Sequence, residues 1–195
     1  MKENPLAKYN TLGLRGPVHP MEREKLSIYF AGPEDLEEFK KMKLESFSND
    51  PGAFSIYSPE KLEKKVKDVQ NYSQENVLSP VRFTVMSRYD SKPMGIVGAV
   101  KEDDGTWIIH SVYINPSFRK GLTEISVAKE MIQKALSEIK QRGGTKVILW
   151  VENTREHAIA LYKSLGFKKS KQPKEIFYRV LKKGHGLMEL DLNAG

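Results

Sequence analysis

Residues 112–126 read VYINPSFRKGLTEIS: an apolar strand, Asn115-Pro116, a basic pair at Arg119 and Lys120, one glycine at Gly121, and the start of a helix. A helix start leaves N–H groups without intrahelical partners and presents the positive end of the helix dipole, so this junction can receive an anion. An ordinary strand-to-helix turn has the same pattern, and the stretch alone leaves both readings open. The chain has no cysteine, which removes a disulfide framework, a thiolate metal site and a cysteine nucleophile. Its histidines, at 19, 110, 157 and 185, lack zinc-ligand spacing, so no structural metal is expected.

The elements that must hold this junction follow from periodicity. With 195 residues, 39% of them hydrophobic, the chain can bury one good core and is expected to form a single domain. Residues 1–24 carry three prolines and two glycines without sustained periodicity and read as a flexible extension before a domain spanning 25–195. LSIYF alternates like a strand, and the next segment sets Leu36, Phe39, Leu44 and Phe47 near one helical face. Ser58 before Pro59 caps a second helix. VRFTVMS, PMGIVGAV and TWIIHSVYI then read as strands in antiparallel pairing.

A helix over 122–140 follows, with Ile125, Ala128, Ile132, Ala135, Leu136 and Ile139 at helical spacing, and ends at Gly143 and Gly144. KVILWV is continuously apolar, as a strand buried on both faces would be. NTREHAIALYKSLGF gives a compact last helix, and the remainder offers two strands around a basic linker. The order β-α-α-β-β-β-α-β-α-β-β defines a mixed α/β sheet. A net charge of +7 attracts anions without separating nucleic acid, membrane surface and polyphosphate cofactor. With no run of 18 apolar residues and no apolar stretch near the N-terminus, neither membrane spanning nor secretion is supported, and a cytoplasmic location is the default.

VILWVENTREHAIALYKSLGF resembles the fourth-helix motif of the GCN5-related N-acetyltransferases (GNAT), a strand and short loop followed by A-x-x-L-Y-x-x-x-G-F. Ala158, Leu161, Tyr162, Gly166 and Phe167 fall in step, and the matching V-x-x-N-P-x-x-R lies upstream at 112–119. LESFSNDPGAF is similar to the first-helix end of one common subgroup, and the likeness covers residues 26 to 192. It implies the GNAT fold, a mixed and mostly antiparallel sheet flanked by about four helices. It also implies acetyl-coenzyme A as cosubstrate and direct attack by the primary amine of a small molecule or a protein; no metal is expected. The pantetheine arm would lie in a V-shaped gap beside the strand that ends at Ile114, with pyrophosphate on the N–H groups of 120–125.

By that resemblance the cofactor would meet the backbone of Val112 and Ile114, then Arg119, Lys120, Gly121, Leu122, Thr123, Glu124 and Ile125. Two departures stand out: Leu122 and Glu124 occupy slots where the family carries small residues. Arg155 stands where many members place Asn, free to pair with cofactor phosphate, while Asn153 or Thr154 is expected to cap the helix, Asn153 and Glu156 having capping-box spacing; a cofactor contact is the alternative role of Asn153. Tyr162 falls on the family's general-acid slot. The usual Glu of the fourth strand is Ile108; His110, two residues on and on the same face, is the candidate base, since an unperturbed imidazole titrates near neutral pH.

The acceptor pocket would be walled by roughly 47–75 and 168–186. Within it, KKSKQPKEIFYRVLKKGH favours an acceptor bearing a carboxylate or phosphate, or an acidic peptide, if it lines the pocket, and is otherwise a solvated loop. A noncatalytic coenzyme A- or anion-binding protein of the same fold is the alternative. Nucleic acid is not favoured as a partner, for want of an RNA-binding motif, and a homodimer is compatible with the resemblance.

Overall fold

A computed structural model describes residues 22–119, 123–170 and 184–193. Residues 1–21 and most of the basic segment read at 168–186 lie outside these. The chain starts with β1 (Leu26–Phe30), α1 (Leu36–Asn49) and α2 (Pro59–Gln70). The Ser58 side chain caps α2 by accepting from the Lys61 N–H at 3.3 Å, with Pro59 in the first turn where its missing N–H costs nothing. Next come β2 (Leu78–Ser79), β3 (Arg82–Tyr89), β4 (Lys92–Lys101) and β5 (Trp107–Ile114), then α3 (Thr123–Gln141), β6 (Lys146–Glu152), α4 (Glu156–Ser164), β7 (Lys168–Lys169) and β8 (His185–Asp191). β2, a two-residue bridge beside β3, is too short to carry a period of its own.

Among the described residues the strands form one sheet in the order β1-β3-β4-β5-β6-β8-β7. β5 and β6 run parallel; the neighbours on either side pair antiparallel. The parallel pair needs a crossover, and α3 supplies it. Its buried side chains Val127, Met131, Ile132, Ala135 and Ile139 pack on Phe83, Val97, Ala99, Trp107 and Ile109. The opposite face is covered by α1, where Phe39 and Met42 meet Met86, Ile96 and Tyr113, and by α2, whose Val66 and Val69 pack on Leu44 and Phe47. Each such fully buried side chain contributes roughly 1.5–3 kcal/mol, so the two layers fix the sheet between them.

One irregularity shapes the site. Gly98 pairs with His110 and Ile96 with Tyr113, so Val97 opposes two residues, Ser111 and Val112. This is a β-bulge, and Ser111 takes the left-handed region at φ 57°. The extra residue reverses the in-out alternation. Trp107 and Ile109 face α3, as do Val112 and Ile114 beyond the bulge, while Ile108, His110 and Tyr113 share the α1 side.

Candidate active site

β5 and β6 pair only through Trp107 with Val147 and Ile108 with Ile148. Past Ile108 the bulge bends β5 away, and the strands splay around a cleft of about 510 Å³. Residues 109–114 form one wall, residues 149–152 the other, and Ala158, Leu161 and Tyr162 of α4 close the floor. The β5 backbone along this wall has no ladder partner in β6. The Val112 peptide groups and the Ile114 N–H therefore have no partner strand on this side, and an extended ligand laid between the strands could meet them.

Tyr162 is buried against Phe167, ring centroids 6.0 Å apart. Burial pushes its phenol up to about 12, and Arg155 opposes the shift. The side chain lines the cleft and stays protonated at neutral pH. On the opposite wall, His110 owes its place to Gly98: any side chain there would put its Cβ onto the imidazole ring. His110 Nδ1 lies 2.7 Å from Ser111 Oγ, and the Lys43 ammonium group of α1 bonds that same hydroxyl.

Lys43 is 7% exposed, with its nitrogen 5.0 Å from the Phe54 ring centroid and 5.8 Å from that of Phe47. Burial, then the charges of Lys65 and Arg82, bring its amine down to about 7. It lines a second cavity of about 270 Å³, bounded by α1, α2 and the start of β8 at His185. Ile109, His110, Ser111, Trp150, Ala53 and Phe54 line both cavities. The two spaces therefore meet at the bulge.

The mouth of the cleft carries charge. Arg119 donates from Nε to the Ile114 carbonyl at 2.7 Å and pairs with Asp50 at the end of α1. Arg155 reaches the same carboxylate at 3.3 Å and Glu152 at 3.1 Å. Asp50 thus ties together the loops leaving α1, β5 and β6. Behind it, Glu45 accepts from Tyr113 at 2.7 Å and from Asn115 at 2.6 Å. Burial raises its carboxyl, with the Tyr113 hydrogen bond acting the other way. Asn115 in turn accepts from the Ser117 N–H at 2.8 Å, which fixes the turn leading to α3.

The cleft gathers His110, Val112, Ile114, Arg119, Arg155 and Tyr162. Asn153 is not among its lining residues. Its backbone N–H bonds the Gly184 carbonyl at 2.8 Å and its side chain lies over Gly186. The expected capping by Asn153 or Thr154 is not what forms: Arg155 is the N-cap of α4 and makes no side-chain cap bond, its guanidinium being drawn to Asp50 and Glu152. Lys120, Gly121 and Leu122 lie outside the described residues, as do the side chains of Thr123, Glu124 and Ile125. Among the described residues no His, Cys, Asp or Glu cluster could hold a metal ion, and no helix is long and apolar enough to cross a membrane.

Three participants went unread in the sequence. Lys43 carried a signal, standing four residues from both Phe39 and Phe47 and hence on the buried face of α1. Asp50 looked like a helix-ending residue, and nothing local marked Ser111 as a bulge.

The profile of the acetyltransferase (GNAT) family matches residues 44–167 of the 195. A protein of Methanocaldococcus jannaschii described as an uncharacterized N-acetyltransferase is 33% identical over 88 residues, covering 40% of this chain; the match spans 35% of that relative's length. Among solved structures, an acetyltransferase from Streptococcus agalactiae superposes with a TM-score of 0.65 at 12% identity, covering 87% of this chain and 99% of that one. The PaiA N-acetyltransferase of Thermoplasma acidophilum, solved with coenzyme A, gives 0.62 at 19% identity, covering 85% and 98%. At these identities the structural matches speak for the fold. The family profile covers most of the chain, which belongs to the acetyltransferase (GNAT) family.

Proposed function

We propose that the chain transfers an acetyl group from acetyl-coenzyme A to an amine nitrogen by direct attack in a ternary complex. The observation that carries this reading is the meeting of two cavities at the β5 bulge, one with unpaired strand backbone and a protonated tyrosine, the other bounded by α1 and α2. Acetyl-coenzyme A supplies an activated thioester; the protein's part is to orient it and manage protons. An extended arm in the cleft would hydrogen-bond the Val112 peptide groups and the Ile114 N–H, with a backbone donor there stabilising the oxyanion that develops at the acetyl carbonyl. Pyrophosphate would sit on the amides of 120–125, with Arg119 and Arg155 beside it.

The reaction joins the amine nitrogen to the carbonyl carbon, breaks the carbon–sulfur bond and leaves a thiolate. Tyr162 would stabilise that thiolate as a hydrogen-bond donor. A thiol near 8.5 is the stronger acid by roughly three powers of ten, so the phenol shares its proton more readily than it surrenders it. His110, bonded to Ser111 at the bulge, would take the proton that the acceptor nitrogen loses.

A noncatalytic binding protein of the same fold is the second reading. It is favoured by the Asp50 carboxylate, which engages both arginines that a pyrophosphate would use. Calorimetric titration with acetyl-coenzyme A and with dephospho-coenzyme A, followed by an amine screen for free thiol release, separates the two. Micromolar binding with turnover on an amine supports the transferase; binding without turnover on any amine supports the second reading; no binding at millimolar cofactor refutes both.

A further inference from the structure

We propose that Lys43 is itself an acetyl acceptor, so that the protein given acetyl-coenzyme A without a competing amine acetylates its own α1. This rests on the acetyltransferase reading above and goes beyond it, because it names an acceptor inside the chain.

Geometry makes the case. The Lys43 amine bonds the hydroxyl of Ser111, the bulge residue that lines both cavities. It therefore stands one hydroxyl away from the strand on which the thioester would be aligned, on the side from which an acceptor amine would come. Among the described residues no carboxylate pairs with it; its contacts are Ser111 and the rings of Phe47 and Phe54. The charged or ionisable groups lining the second cavity with it are Lys65 and Asp68 of α2, Tyr72 just after α2, Arg82 of β3, His110 of β5 and His185 of β8. Lys65 and Arg82 both oppose an ammonium ion at this position, and burial opposes it more strongly. A large share of the neutral amine at ordinary pH follows, and the neutral amine is the nucleophile.

A merely structural lysine would be expected to lead its ammonium to water or to a carboxylate. Lys43 does neither. Its nitrogen lies on the α1 side of the bulge, from which the proposed reaction would bring an amine, with the His110 imidazole one hydroxyl further on.

In the step itself the Lys43 lone pair bonds the acetyl carbonyl carbon and the carbon–sulfur bond breaks. The nitrogen gives up one proton, which leaves with the coenzyme A thiol, and the products are N-acetyl-Lys43 and coenzyme A. The amide fills part of the second cavity and is no longer nucleophilic, so modification stops at one acetyl group per chain. Self-acetylation would then report an empty acceptor pocket.

The test uses the purified full chain with acetyl-coenzyme A and no added amine. Peptides are mapped by mass spectrometry over time, with calorimetric coenzyme A binding measured on the same preparation. The expected result is acetylation of Lys43, seen as loss of tryptic cleavage after residue 43, well ahead of the exposed Lys61, Lys64 and Lys67 of α2. Thiol release should show a burst of one equivalent that Lys43→Met abolishes. Coenzyme A binding with Lys43 unmodified, or modified no faster than the α2 lysines, overturns this inference and leaves the transferase reading in place. Absence of coenzyme A binding overturns both.

Discussion

Replacing Lys43 by methionine should make the protein more stable at neutral pH, by an amount that shrinks as pH rises. In the folded chain the amine titrates near 7, against 10.5 when unperturbed. Between those values the unfolded chain holds a proton that the folded chain has released, so raising the pH favours folding. The lysine's contribution is thus complete above 10.5 and is lost as pH falls toward 7. Each pH unit in that window is worth about 1.4 kcal/mol. At about pH 7.5 the linkage costs the native state about 4 kcal/mol relative to a residue that does not titrate. Losing the Ser111 hydrogen bond takes back about 1 kcal/mol, and the thioether suits the Phe47 and Phe54 walls. The expected gain is therefore about 3 kcal/mol at about pH 7.5, most of it gone at about pH 9.5. Urea unfolding of both proteins across that range measures it. A stability difference that does not change with pH would refute the low amine pKa and, with it, the picture of a neutral Lys43.

Three further perturbations probe the cleft. Tyr162→Phe should lower turnover on whichever amine proves active by about 10- to 100-fold while leaving coenzyme A affinity unchanged in calorimetry; full turnover with chemistry limiting would remove the tyrosine from the reaction. Asp50→Asn should remove the charge that competes for Arg119 and Arg155, leaving their bonds to Ile114 and Glu152, and tighten coenzyme A binding by about tenfold, the equivalent of one charged hydrogen bond. Weaker binding would show instead that Asp50 is needed to orient them. Gly98→Ala should cost about 1–3 kcal/mol in urea unfolding, because the new methyl group meets the His110 ring, and unchanged stability would refute that close approach.

What was legible in the sequence was what depends on period and end signals. The α3 stripe, the doubly buried β6 and the Ser58-Pro59 start of α2 each follow from residues close together in the chain, and each stands where the pattern put it. The residues of β5 and α4 that line the cleft were singled out through the motifs that carry the family resemblance. Pairings across long sequence separations were not. Asp50 meets Arg119 and Arg155 from 69 and 105 residues away, and no local pattern announces a carboxylate that closes three loops on one another. The same contest explains why Asn153 lost the capping role: the Arg155 guanidinium found two carboxylates, and that anchoring set where α4 begins.

Ser111 shows why the centre of the site is harder to read than its walls. Strict alternation from Ile108 would place His110, Val112 and Ile114 on one face of the sheet. A single inserted residue instead sends Val112 and Ile114 to the α3 side and brings Tyr113 beside Ile108 and His110, toward α1. That exchange lets the Tyr113 hydroxyl reach Glu45 of α1, and Asn115 joins the same carboxylate. The network anchors the end of β5 to α1, the helix that carries Lys43. The bulge thus performs two tasks at once: it parts β5 from β6 to open the cleft, and it turns the Ser111 hydroxyl toward α1, where Lys43 meets it. A serine in a left-handed conformation inside a strand is backbone strain, and in this chain it lies where the two cavities join.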